Sequence, residues 1–390
     1  MKDEFCACPG LGCSPATMIA GWFRSYGSLP ALSMIPDRQV LLTHQGRTAL
    51  GLLCNILGLG QGDEVLLPAY NCGAEVDPFM CAGCKVVFYR IDRAARADIG
   101  DIKSRLSSAT RVIYVTHFFG WPQDMGEIVD ICKQRHLFLV EDCAQALLSW
   151  GSDSLIGKLG DAVICSYGKF LGLPDGGALI LKQPPKFTPA CFPNITWTWQ
   201  ASLPLFKKWF MQHNALWQRY PWGRQLLNRS WTSRPGHRKS GRRLEMLSSN
   251  CFDASRRFWR MSRASVGILK NTNIHEVVTR RRRNFAWLSE HLKNNEHLMP
   301  LHESLPADVC PLAYPVFAKD PGYARSYLEK NGIFVQGWPG YYPGMPWDEY
   351  PDACVLKDTL LTLPVHQDLS LEQMEYIAKC ANSLGNHFSP

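Results

Sequence analysis

No uninterrupted apolar run of membrane-spanning length occurs in the 390 residues, because Gly, Pro or a charge breaks every candidate. The N-terminal MKDEFCACPGLGCSPATMIAGWF starts acidic and carries cysteines where a signal peptide needs an apolar block, so the cytoplasm is the expected compartment. Acidic residues are missing altogether between Asp175 and Glu245, a stretch that holds twelve Lys and Arg. The net charge of +8 therefore belongs to one segment: the other 30 basic residues stand against 34 acidic ones, a balance of −4. The sequence has fifteen cysteines but no His/Cys pairs at zinc-finger spacing to join Cys6, Cys8 and Cys13 or Cys81 and Cys84. No metal site is expected. Thiols inside apolar segments, such as Cys54, Cys132 and Cys165, read as reduced and buried.

A chain of this length exceeds what one hydrophobic core usually serves, so a large domain and a smaller one are expected. Residues 1–40 read as an N-terminal segment, 41–250 as the large domain and 251–390 as a linking helix with a small α+β domain. From about 40 to 182, β-rich runs (Val65–Leu67, Val86–Tyr89, Val112–Thr116, Leu137–Glu141, Ala162–Cys165, Ala178–Leu181) alternate with helical periodicity, as in Thr48 to Leu57 and Asp124 to Arg135. That alternation predicts an α/β fold, a mainly parallel sheet with helices on both faces. Residues 183–250 interrupt it as a basic insertion with six of the thirteen tryptophans. Met261 to Leu292 reads as a long helix or a helix pair. Near the C-terminus, Ser370 and Gln373 form a capping box before an apolar stripe of Met374, Ile377, Ala378 and Ala381, with Gly385 as the stop.

In an open parallel sheet, ligands sit beyond the carboxyl ends of the strands. Thr116 and His117 end one predicted strand, Asp142 follows the next, and Ser166 to Lys169 follow the one after. Singly, Asp142 reads as a helix cap, Ser166 as a turn residue and Lys169 as a surface lysine. Together they supply what pyridoxal phosphate (PLP) requires: an amine to hold its aldehyde and a carboxylate to keep its pyridine nitrogen protonated. Gln45-Gly46-Arg47-Thr48, at the start of a predicted helix, adds backbone N–H groups and a cation for a phosphate.

Seven segments in order give the chain a resemblance to the DegT/StrS family of PLP-dependent sugar aminotransferases of fold type I. They are GRTAL (46–50), GLGQGDEVLLPAY (58–70), THFFGWPQDM (116–125), VEDCAQA (140–146), GDAVICSYGKFLGLPDGGAL (160–179), RMSRASVGIL (260–269) and LPVHQDLS (363–370). The resemblance covers about 40–182 and, more loosely, 255–384. It implies that Lys169 forms the Schiff base and moves the proton, that Asp142 pairs with the pyridine nitrogen, and that Gln145 lies near the ring. It also implies that Ser166 and the amides of Arg47 and Thr48 hold the phosphate. His117, at the end of its predicted strand, is read as cofactor-binding with them, as is Cys72, which stands where the family has an aromatic residue on the ring. Further departures are Gln45-Gly46-Arg47 for Ser-Gly-Thr, Asp175 for the glutamate before the paired glycines, and Phe258-Trp259-Arg260 for Asn-Tyr-Arg. The implied activity is transfer of an amino group, from glutamate, to a keto-sugar carried on a nucleotide, by a homodimer.

Rival motifs fail on context. Gly58 to Gly62 resembles a dinucleotide fingerprint but follows a helix and precedes a strand. Gly151 to Lys158 is one residue too long for a phosphate loop, and Leu159 replaces its Ser or Thr. Arg280–Arg283 reads as a solvated or interface face of a helix. Two alternatives stay open: a PLP enzyme of the same fold acting on a non-sugar substrate or catalysing dehydration, the latter opposed by Lys169 because related dehydratases carry histidine there, and a nucleic-acid or membrane binder using the basic segment. Ser202 to Tyr220 within that segment places Phe206, Trp209, Phe210, Leu216, Trp217 and Tyr220 near one helical face, flanked by Lys207, Lys208 and Arg219. It reads as a helix packed on its own protein, a cover over the site, or a membrane-docking surface.

Overall fold

The computed structural model describes residues 11–23, 38–149, 154–184, 188–189, 191–213, 252–337 and 341–387. Its centre is a seven-stranded sheet of β1 (Gln39–Thr43), β2 (Glu64–Pro68), β3 (Lys85–Tyr89), β4 (Thr110–Thr116), β5 (Phe138–Asp142), β6 (Ala162–Ser166) and β7 (Gly177–Leu181), in the order β1-β7-β6-β5-β4-β2-β3. Strands β2 to β6 are mutually parallel, while β7 runs antiparallel to both β6 and β1. The inner parallel strands, β2, β4, β5 and β6, are Val-, Ile- and Leu-rich and largely buried, as a sheet covered by helices on both sides requires, while β3 at the edge is half-exposed. The six expected strands are all present. β1 is an addition: QVLLT is too short to announce itself and is held by its pairing with β7.

Helices α2 (Gly46–Leu57) and α3 (Gly73–Ala82) cover one face, burying Leu50, Leu53, Val76 and Phe79 against Val65, Leu67, Tyr114 and Val140. Gly58 and Gly83 end these helices in the left-handed conformation, φ 62° and 92°, which glycine adopts without strain. On the other face, α5 (Gly126–Arg135), after the short α4 (Ile99–Arg105), buries Ile128 and Ile131 with Ile113, Val115 and Leu139. At about 1.5–3 kcal/mol per fully buried aliphatic side chain, these two layers dominate the stability of the sheet.

The expected long helix is a pair. α7 (Arg263–Asn271) packs on the large sheet's core, and α8 (Ile274–Leu292) starts on that core at Val277 and ends on a second one at Phe285, Leu288 and Leu292. The second core underlies a four-stranded antiparallel sheet, order β10-β11-β9-β8, with β8 (Leu298–Pro300), β9 (Tyr314–Ala318), β10 (Gln336–Gly337) and β11 (Leu360–Leu363). Helices α9 (Pro321–Lys330), α10 (Pro351–Thr359) and α11 (Leu371–Asn382) accompany it. The Ser370–Gln373 capping box is formed at α11, although the chain tightens into a 3₁₀ turn from Ser383, two residues before Gly385.

Of the basic segment, α6 (Ile195–His213) is described, while Leu216, Trp217, Arg219 and Tyr220 lie outside the described residues. Its packed face is Thr198, Ser202, Leu205 and Phe206, set against α1 (Pro15–Phe23) through Met18 and against the large core. Phe210 is not on that face; it is 42% exposed, as Trp199 is at 41% and Leu203 at 60%. Within the Arg280–Arg283 run, Arg280 and Arg283 are exposed as expected, but Arg281 is not. Arg281 is fully buried in its own chain, donating to Gln367 Oε1 (2.9 Å) and to the carbonyls of Pro311 (3.2 Å), Leu312 (3.0 Å) and Phe170 (3.1 Å). Its guanidinium fork suits several acceptors in fixed directions, so it holds the turn after Lys169 rather than facing water or a second subunit.

Candidate active site

Strands β4, β5 and β6 deliver Thr116, Asp142 and Ser166 to one end of the sheet, where the α2 and α3 N-termini also lie. Side chains alternate along a strand, so Tyr114, Thr116 and Asp142 share the face covered by α2 and α3. Asp142 is 2% exposed and doubly held: Tyr114 Oη donates to it at 2.6 Å and the Ala144 amide at 2.7 Å. Lys169 ends the short 3₁₀ turn Tyr167–Lys169 that follows β6 and is half-buried. The carbonyl of the next residue, Phe170, is gripped by both Arg281 and Gln367 Nε2 (3.0 Å), which fixes that turn.

The start of α2 forms a cradle. Its N-cap, Gln45, makes no side-chain cap hydrogen bond, so that side chain does not occupy the amides of the first turn. Gly46 backs onto Ser166: a side chain at position 46 would begin 3.7 Å from the Ser166 Cβ and 3.4 Å from the Cys165 carbonyl, ordinary contacts. The glycine that matters sterically is Gly177 on β7, where a Cβ would collide with the Gln45 and Gly46 backbone. Arg47 and Thr48 complete the turn, Thr48 buried at 2%. Asp175 pins the neighbouring loop, accepting from the Ser262 amide (3.0 Å), Ser262 Oγ (2.9 Å) and Ser265 Oγ, with His44 Nδ1 at 3.4 Å. Trp259 and, from α6, Trp197 stack edge-on to His44, ring centroids 5.3 and 4.3 Å away.

Orphaned polar atoms mark where a ligand fits. Gln145 donates none of its own protons: its Oε1 accepts from the Phe119 amide (3.1 Å), while Nε2 is buried with no partner among the described residues. Thr116 Oγ1, Tyr70 Oη and Glu75 Oε2 are buried in the same condition. Such groups cost about 1–3 kcal/mol each when left unmade, so several at one strand-end cluster signal a ligand that completes them. A phosphate cradle, a lysine, a carboxylate and these donors fit PLP.

His117 is placed differently from the reading above. Its Nε2 lies 3.0 Å from Glu141 Oε2 and its Nδ1 accepts from the Gln123 amide at 3.0 Å, so neither nitrogen is left for a cofactor. Glu141 and Cys143 stand with it within 4.8 Å, the kind of donor set that holds a metal. Yet Glu141 is already taken by the amides of Gly157 (2.8 Å), Leu159 (2.9 Å) and Gly160. The triad reads as a structural bracket.

Cys72 caps α3 by its backbone, and its thiol donates to Glu75 Oε1 at 3.4 Å. Burial and the Glu75 charge push that thiol up to about 12, against the pull of Lys169. Glu75, 5% exposed in the first turn of α3, is raised to about 8 by burial and by Asp142, with Lys169, Cys72 and Lys357 pulling the other way. Lys357 comes from α10, donates to the Asn71 carbonyl at 2.7 Å, and lies over the rings of Trp347 (4.9 Å) and Tyr70 (5.4 Å). Burial lowers it to about 8, opposed chiefly by Cys72 and Glu75. Neither Glu75 nor Lys357 stands out in sequence. A first-turn glutamate looks like a dipole partner, and Lys357 lies 286 residues from the carbonyl it binds.

A family model for the DegT/DnrJ/EryC1/StrS aminotransferase family matches residues 33–189. The chain is 32% identical over 138 residues to GDP-perosamine synthase of Escherichia coli O157:H7, which covers 35% of this chain and 38% of that protein. It is 30% identical over 153 residues to dTDP-4-dehydro-2,3,6-trideoxy-D-glucose 4-aminotransferase of Saccharopolyspora spinosa, covering 38% and 40%. The chain thus spans about two fifths of the length of these curated relatives. Among solved structures, Helicobacter pylori PseC, an aminotransferase involved in the biosynthesis of pseudoaminic acid, matches 99% of this chain and 100% of its own, with TM-score 0.68 at 16% identity. Aminotransferase TlmJ of Streptoalloteichus hindustanus matches 96% and 92%, with TM-score 0.65 at 21% identity. These likenesses show the α/β fold with its mainly parallel sheet.

Proposed function

We propose that this chain, whose residues 33–189 form a DegT/DnrJ/EryC1/StrS aminotransferase family domain, is a PLP-dependent aminotransferase that moves an amino group from glutamate to a keto-sugar on a nucleoside diphosphate. What supports this reading is that Asp142 and Ser166 end adjacent strands, Lys169 follows at once, and the α2 N-terminus lies beside Ser166, with Gln145 Nε2 and Thr116 Oγ1 buried and unpartnered among the described residues. PLP, once bound, serves as the electron sink for the substrate's amine-bearing carbon. The amides of the α2 first turn, Arg47 and Ser166 hold its phosphate. Asp142 keeps a proton on the pyridine nitrogen. Lys169 would hold the aldehyde carbon and move the proton at its Nζ, a role suited to a half-buried amine on a braced turn. Gln145 Nε2 is a donor for the ring's edge.

The sugar and its nucleotide come from the names of the relatives: GDP-perosamine synthase and dTDP-4-dehydro-2,3,6-trideoxy-D-glucose 4-aminotransferase. The enzyme works as a cytoplasmic homodimer in this reading; no helix among the described residues is long and apolar enough to cross a membrane. The test is to incubate the purified protein with PLP and glutamate and screen keto-sugar nucleotides by mass spectrometry. Appearance of an amino-sugar nucleotide together with 2-oxoglutarate supports the reading. Turnover of none of them with PLP bound removes the sugar assignment.

A further inference from the structure

Glu75 is the acid in this cluster that neither Lys169 nor Asp142 accounts for. It sits in the first turn of α3, three residues after Cys72, where it feels the charge of Asp142. One oxygen is occupied, accepting from the Cys72 thiol; the other is buried with no partner among the described residues. The ionisable groups around it are Asp142, Lys169, Cys72 and Lys357, and the hydroxyls of Tyr70, Tyr89 and Tyr114 also feel its charge. Burial and Asp142 together keep the carboxyl protonated at neutral pH. A protonated carboxyl is both acceptor and donor. Here one oxygen accepts from the Cys72 thiol, and the other, free to carry the O–H, has no partner among the described residues.

Cys72 bears on the same point: the resemblance puts an aromatic residue at this position, and a cysteine offers a bound cofactor's ring no stacking partner. A carboxyl O–H reaching in beside the thiol supplies a directional contact in place of a stacking one. We propose that Glu75 is a cofactor-binding residue of this site, donating a hydrogen bond from its neutral carboxyl to the bound PLP. This assignment rests on the PLP reading above. Lys357, reaching in from α10, limits the negative charge that Glu75 and Asp142 place side by side.

The sign of the pH effect follows. Glu75 donates only while protonated; as pH rises through about 8 it ionises, the donor is lost, and a second negative charge arises beside Asp142. PLP affinity of the wild-type protein therefore falls between pH 7 and pH 9. The experiment is a PLP titration of wild type, Glu75→Gln and Glu75→Met at several pH values, followed by cofactor absorbance, with a melting curve for each. Glu75→Met is expected to weaken PLP binding at pH 7 by about tenfold, the worth of one hydrogen bond in a buried site. Glu75→Gln, whose amide still donates, is expected to bind within about threefold of wild type and to lose the decline above pH 8. Wild-type affinity in Glu75→Met, or a decline retained in Glu75→Gln, overturns the assignment and leaves the PLP reading standing. Absence of PLP binding by the wild-type protein overturns both.

Discussion

Glu141 and Glu75 are both buried in the large sheet's layers, one at the end of β5 and the other in the first turn of α3. Burial raises both. At Glu141 the hydrogen bond from His117 and the Gly160 and Gly157 amides outweigh it and hold the carboxylate below its ordinary range, whereas at Glu75 burial and Asp142 prevail. The difference lies in donors: Glu141 has them on both oxygens, while Glu75 has one thiol and an empty side. A saturated buried acid braces the loop after β5. An unsaturated one, among other unsaturated groups, belongs to a site. Asp142, next to Glu141 in sequence but on the opposite face, lies between them, with two donors and the site before it.

The comparison breaks most readily at Glu141. Glu141→Gln sets an amide NH₂ among N–H donors and is expected to cost about 3–5 kcal/mol of stability, read by chemical denaturation. A variant as stable as wild type would mean the bracket is incidental. Asp142→Asn should cost less, about 1–2 kcal/mol, because one of two donors is lost. It should still bind PLP, yet its turnover should fall by about 10²–10³, as the pyridine proton is no longer held; near-normal turnover would make Asp142 structural. Thr116→Val is the smallest case. Removing a buried hydroxyl without a partner should stabilise the unliganded protein by about 1 kcal/mol, seen as a raised melting temperature. A lowered one would show that the hydroxyl is satisfied within the chain.

Much of the fold was legible because its signals are local. Val, Ile and Leu runs marked β2 to β7, and Ser370 with Gln373 marked the start of α11. Where tertiary contacts decide, the sequence was silent or misleading. β1 depends on β7, α3 holds Pro78 and has no clean apolar stripe, and Arg281 hides inside an arginine run that looks solvated. The site divides in the same way. Lys169, Asp142, Gln145, Ser166 and Gly46 follow strand ends or open a helix, so their positions could be read from pattern and resemblance. His117 follows β4 and so looks like one of them, but it pairs with Glu141, which the two-residue alternation of β5 sets on the face opposite Asp142. Lys357 reaches Asn71 only because Ala353 and Leu356 of α10 pack with Leu66 and Tyr70, a contact far apart in sequence.

The central claim is that Lys169, and not another amine of this buried cluster, carries the cofactor. Lys357 is its natural rival, a lysine lowered to about 8 by burial within reach of the same Glu75 and Cys72. Borohydride reduction of the PLP-loaded protein, followed by peptide mapping, separates the two. The account predicts the pyridoxyl mass on the peptide containing Lys169 and no fixed label in Lys169→Ala; label on Lys357 or on any other lysine would contradict it.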